Sequence, residues 1–117
     1  MSILLAAILF AATPAPASGV QGVIVLWPTC PVERIGHPCE KPVAATVDIE
    51  TSAGHVLMHC KSDASGKFRI ALAPGSYVLR PEPLRPGSGL PRPVPQPVVV
   101  LKGLFTTVRL VYDTGIR

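Results

Sequence analysis

Between residues 62 and 82 the chain reads SDASGKFRIALAPGSYVLRPE, and few folds can accept such a stretch. Two runs, KFRIAL and YVLRP, alternate apolar and polar residues, and turn chemistry precedes each. Alternation with period two belongs to a strand with one buried face, because successive side chains point to opposite sides. Phe68, Ile70 and Leu72 are expected inward, with Lys67, Arg69 and Ala71 outward; Tyr77 and Leu79 extend the inner set. In SDASG, Asp63 can accept from nearby backbone N–H groups and Gly66 can take a positive φ. In APGS, Pro74 fixes φ at the second turn position and Gly75 supplies the positive φ of the third, as a type II turn requires.

The rest of the chain repeats this grammar. Residues 20–27, VQGVIVLW, are nearly all apolar and read as a strand buried on both sides. Residues 43–50 put Val43, Ala45, Val47 and Ile49 inward, with Ala44, Thr46, Asp48 and Glu50 outward. Residues 55–61 place Val56, Met58 and Cys60 on the inner face, opposite His55, Leu57, His59 and Lys61. Residues 81–97 hold so many prolines that helix and central strand are both excluded, leaving a stiff surface loop. Strands resume over 98–101 and 104–112, where Val108, Leu110 and Tyr112 point in. No segment after residue 17 sustains a helical period, so the fold class is all-β, a seven-stranded Greek-key β-sandwich.

The opening segment belongs to another class. Residues 3–12 are apolar and uncharged, too short for a bilayer span of roughly 20 residues. Small residues follow, with Ala15 and Ala17 spaced as a cleavage signal. Residues 1–17 therefore read as a secretory signal peptide and 18–117 as one domain. No Lys or Arg precedes the apolar run, so either the signal is weak or the true start lies upstream; the alternative reading is an uncleaved anchor. The expected location is secreted or periplasmic, with no membrane span left after cleavage.

Export gives the cysteines their meaning. Cys30 and Cys39 bracket PVERIGHP, a loop without strand pattern, and in an oxidising compartment they are expected to pair. Cys60 is left over as a buried thiol, or as a partner for one of that pair or for a second chain. The formal charge of +4 comes largely from Arg69, Arg80, Arg85, Arg92, Lys102, Arg109 and Arg117. These cations are spaced along strands and a loop rather than clustered with aromatic rings, so no nucleic-acid partner is expected.

The frame Asp63, Gly66, Phe68, Ile70, Leu72, Pro74, Gly75, Tyr77 and Leu79, with GVIV before it, resembles carboxypeptidase regulatory-like domains. These are prealbumin-like or transthyretin-like sandwiches, and the resemblance covers the chain beyond residue 17. The frame of PTCPVERIGHPC and the ending YDTGIR is also similar to small secreted bacterial proteins with one such domain. The resemblance implies an accessory module that packs beside a partner or spaces out a surface protein. Transthyretin-like hydrolases end in a Tyr-Arg-Gly-Ser tail that this chain lacks. The internal isopeptide of related adhesin domains needs a first-strand Lys and a last-strand Asn or Asp. The strand over 20–27 has no Lys and the chain has no Asn, and Asp113 alone does not supply the bond.

No other constellation carries chemistry. Gly-x-Ser-x-Gly and His-Glu-x-x-His are both missing, so no catalytic residue is assigned and no enzyme is expected. His55 and His59 are four apart, which on a strand is about 13 Å, too far for one ion. A metal-handling site through His55, His59 and Cys60, with His37 joining only if its loop folds over, ranks last. No cofactor and no resident metal is expected. The expected function is a non-enzymatic structural or interaction module for a protein or envelope partner. Its candidate surface is Trp27, Arg85 and Arg92 with the disulfide loop. A carbohydrate- or ligand-binding domain using Trp27 is the alternative.

Overall fold

The computed structural model describes residues 17–85, 87 and 89–116. The leader over 1–17 lies outside these except for Ala17, and Arg117 also lies outside. The described residues contain no helix, and so none long and apolar enough to cross a membrane. They form β1 (Gly19–Trp27), β2 (Lys41–Pro42), β3 (Thr46–Thr51), β4 (Val56–Lys61), β5 (Lys67–Ala71), β6 (Gly75–Pro81), β7 (Arg92–Pro93), β8 (Gln96–Val100) and β9 (Phe105–Asp113). β2 and β7 have 2 residues each, so the other seven are the strands that the alternation marks out.

Two sheets pack as a sandwich. The first runs β2-β1-β9-β7, with β5 beside β1 on the edge that it shares with β2. The second runs β4-β3-β6-β8. β1 and β9, the first and last strands, lie parallel in register from Gly19↔Phe105 to Trp27↔Asp113; every other pairing is antiparallel. Between the sheets lie Val20, Ile24, Val47, Ile49, Phe68, Leu72, Leu79, Val98, Val100, Leu110 and Tyr112. These are the inward members of each alternating run, which is how the sequence pattern becomes a core.

The stretch at 62–82 carries the chain from one sheet to the other. Asp63 Oδ1 accepts from Ser65 N–H and Lys67 N–H, each at 2.9 Å, and Gly66 adopts φ 75°. A Cβ on Gly66 would sit 2.4 Å from the Ile24 carbonyl oxygen, so both conformation and space demand glycine. The Pro74–Gly75 turn departs from expectation. Gly75 has φ 156°, far from the roughly +80° of a type II turn, and already begins β6. The Tyr77 hydroxyl closes this corner by donating to the Ala73 carbonyl at 2.6 Å, while its ring packs on the core.

Four more expectations change, each where one strand meets another. β3 starts at Thr46 because residues 43–45 cross between the sheets. Val43 N–H still bonds Ile24 O in the first sheet at 3.0 Å, and the Ser62 hydroxyl holds the crossing through Val43 O at 3.0 Å and Ala45 N–H at 2.9 Å. In β4 the register shifts opposite Ile49 and Glu50, which turns Val56 to the outer face with Glu50. Met58 stays opposite Ile49, yet it is 39% exposed because β4 is an edge strand that overhangs the core. Glu50 is outward but only 7% exposed, covered by Arg80, whose Nε donates to Glu50 Oε2 at 2.9 Å.

Candidate functional site

One end of the sandwich carries Trp27, Arg92 and the root of the disulfide loop. β1 delivers Trp27 to this end, and the parallel register sets it beside Asp113 of β9. Asp113 is in turn opposite Arg92 of β7, and Arg92 Nη2 donates to Asp113 Oδ2 at 3.0 Å. Trp27, Asp113 and Arg92 thus form a row across three neighbouring strands. Trp27 is 40% exposed. With Pro28, Pro31, Glu33 and Ile116 it lines a shallow cavity of about 470 Å³.

The disulfide loop rises beside this row. Cys30 and Cys39 are bonded, with Cα atoms 5.3 Å apart. Thr29 N–H donates to Cys39 O at 2.7 Å, and Cys39 N–H donates to Glu33 Oε2 at 3.0 Å. Cys39 is buried, so the loop is rooted in the domain rather than only cross-linked to itself. At the tip His37 N–H donates to Arg34 O at 2.9 Å, and Val32 and Ile35 stand exposed. Alternation does not single out these two aliphatic residues, since they sit in a segment without strand pattern. The tail completes the end. Thr114 N–H donates to Trp27 O at 3.1 Å, its hydroxyl donates to Pro28 O, and Leu90 of the proline loop lies against Gly115. Arg85 is exposed on that same loop.

A second cluster lies on the outer face of the second sheet. Asp48 and His59 are directly opposite across β3 and β4, and His59 Nδ1 is 2.6 Å from Asp48 Oδ1 and 3.3 Å from Glu82 Oε2. Glu82 N–H donates to Thr46 O at 2.8 Å, which extends the β6 ladder by one residue and brings that carboxylate level with the other two groups. A hydrogen bond shared with Asp48 raises the Glu82 carboxyl above its ordinary range; burial and the Asp48 charge add to this, and His59 opposes it. The Tyr112 hydroxyl crosses from the first sheet to donate to the Glu82 carbonyl. This trio is hard to find in sequence, because Glu82 reads as a loop residue and Asp48 as ordinary outer-face solvation. Only the β3–β4 register and the last rung of β6 bring them together.

The histidine and cysteine set considered from spacing does not assemble. His59 points outward to Asp48, whereas Cys60 packs on the core as a free thiol, its pKa raised by burial. His55 belongs to the turn between β3 and β4, where its carbonyl accepts from Thr51 N–H at 2.8 Å. Asp48 with His59 supplies two members of a hydrolytic triad. Among the described residues no hydroxyl or thiol is bonded to His59, so the nucleophile such chemistry needs is not in place. The isopeptide geometry is not met either: β1 carries no Lys, and Asp113 holds Arg92.

No family model matches the chain, and no curated protein matches it. The resemblance to carboxypeptidase regulatory-like domains therefore stands at the level of the β-sandwich. Among solved structures the chain is similar to GBS52, the minor pilin of the Gram-positive pathogen Streptococcus agalactiae, with TM-score 0.60 and 19% identity. The match covers 86% of this chain and 46% of that one, so the chain spans less than half the length of the pilin. At this identity the likeness concerns the fold.

Proposed function

We propose that this chain is an exported, non-enzymatic interaction module that docks a protein or envelope partner through the end carrying Trp27. The observation that carries the reading is the row Trp27–Asp113–Arg92 beside a disulfide-closed loop with exposed Val32 and Ile35 at its tip. An exposed aromatic and an arginine in one row are residue types enriched at interfaces, and a cross-linked loop loses little entropy when it docks. Export fits both the apolar leader and the disulfide. The likeness to a minor pilin supports a surface role without naming a partner. A second reading, carbohydrate binding, rests on the exposure of Trp27 and the shallow cavity at its side.

The test is capture from an envelope extract of the source cells with immobilised wild-type chain, Trp27→Ala and Arg92→Ala. The docking reading expects one protein retained by the wild type and lost with Trp27→Ala. Retention undiminished by both substitutions would remove this end as the docking surface. Elution by soluble glycan instead of salt would favour the carbohydrate reading.

A further inference from the structure

We propose that Asp48, His59 and Glu82 form a binding site for a divalent first-row metal ion, which fastens the root of the proline loop to the outer face of the second sheet. The site lies on the outer face of the second sheet and does not depend on the docking reading.

Geometry comes first. The three side chains offer one imidazole nitrogen and two carboxylate oxygens, all within 4.8 Å of one another. Metal–ligand bonds of about 2.0–2.2 Å to N and O hold neighbouring ligand atoms roughly 3–4 Å apart. The contacts of 2.6 and 3.3 Å from His59 Nδ1 need only small side-chain rotations to reach that spacing. The scaffold is already fixed: Asp48 and His59 are register partners on paired strands, and Glu82 is anchored through its N–H to Thr46 and its carbonyl to Tyr112.

Charge distribution independently points to a cation. Arg80 is the register partner of Asp48 and would be its natural counter-ion. Its guanidinium turns instead to Glu50. Lys61, next to His59 in β4, makes no ion pair among the described residues. Two carboxylates therefore converge with a single imidazole between them, while Arg80, the register partner of Asp48, is engaged elsewhere. A divalent ion would offset both charges at once, with His59 neutral and bound through Nδ1.

The donor set selects the ion. Calcium takes six to eight oxygen ligands, and magnesium keeps most of its waters. A mixed imidazole–carboxylate set suits Zn²⁺ and Mn²⁺, with Zn²⁺ the tighter by the general affinity order. His59 and Glu82 are substantially exposed, so water completes the coordination sphere. Coordination would join β3, β4 and the first residue beyond β6, which opens the proline loop.

The experiment is calorimetric titration of the purified chain with ZnCl₂, MnCl₂ and MgCl₂ at neutral pH. One equivalent of Zn²⁺ is expected, Mn²⁺ more weakly, and no saturation by Mg²⁺. His59→Gln, Asp48→Asn and Glu82→Gln should each weaken Zn²⁺ binding by roughly tenfold or more. His55→Gln and Cys60→Ser should leave it unchanged. Absence of Zn²⁺ binding at millimolar concentration, or binding lost in Cys60→Ser but kept in His59→Gln, overturns the assignment. Paramagnetic broadening by Mn²⁺ of the wild-type amide spectrum gives a readout that no misfolded variant can confuse. Broadening centred on residues 48, 59 and 82 supports the site, and broadening centred elsewhere refutes it.

Discussion

At the scale of single residues, a few contacts decide whether the chain can turn where it must. Gly66 is the clearest. Its φ of 75° lies in the left-handed region, its N–H bonds Asp63 O at 2.9 Å, and its carbonyl accepts from Ile24 N–H at 2.8 Å. An alanine there would carry the left-handed penalty of roughly 1–2 kcal/mol and would also push its Cβ into Ile24 O, the strand that β5 must pair with. Gly66→Ala is therefore expected to cost about 3 kcal/mol or more in urea unfolding. Asp63→Ala removes an acceptor shared by two amides without any clash, and should cost about 1–2 kcal/mol. If the two variants unfold at the same urea concentration, the close approach to β1 is not what demands glycine.

At the scale of elements, the most consequential piece without regular structure is the disulfide loop. Closing a segment with a separation of 9 residues removes chain entropy worth about 2.5 kcal/mol from the unfolded state. Converting Cys30 and Cys39 together to serine should lower unfolding stability by that amount, and a reducing agent should lower the wild type equally while leaving the variant unmoved. A variant as stable as the oxidised wild type would show that Glu33 and Thr29 hold the loop unaided. The two edges of the second sheet are guarded differently. On β8, Pro97 has no N–H to offer, Gln96 Nε2 donates to the Pro97 carbonyl, and Thr106 Oγ1 donates to the Val99 carbonyl at 2.7 Å. On β4 the guards are the register shift and Lys61. How much of this the sequence revealed follows from the range of each interaction. Alternation is local, so the inner faces of β3, β5, β6 and β9 were legible, as was the Asp63–Gly66 turn. The register shift in β4, the crossing at 43–45 and the Asp48–His59–Glu82 cluster depend on which strand lies next to which. Period two is silent on that. The burial of the outward Glu50 is silent in the sequence for the same reason: its cover is Arg80, 30 residues further on.

At the scale of the whole molecule, the question is what keeps two sheets in one relative position at the end that carries the loops. Apolar packing is non-directional and fixes the spacing of the layers better than their alignment. Tyr112 adds direction: it is rooted in β9, fully buried between the layers, and its hydroxyl donates to the carbonyl of Glu82, just beyond β6. Burial pushes its pKa up to about 12, and the nearby Glu82 and Asp48 charges act in the same sense. An acid whose pKa is higher in the folded state is favoured there in its neutral form. Its contribution is therefore complete below the ordinary tyrosine value near 10 and is lost as pH rises toward 12. The wild type should lose stability through that window, whereas Tyr112→Phe, with no phenol to ionise, should lose less across it. At neutral pH the wild type is the more stable, because the variant lacks a hydrogen bond worth about 1 kcal/mol. Urea midpoints measured from pH 7 to 12 should thus converge for the two proteins. Coincident curves over the whole range would mean that the alignment of the sheets rests on packing alone, and that the tyrosine bridge between them carries no stability of its own.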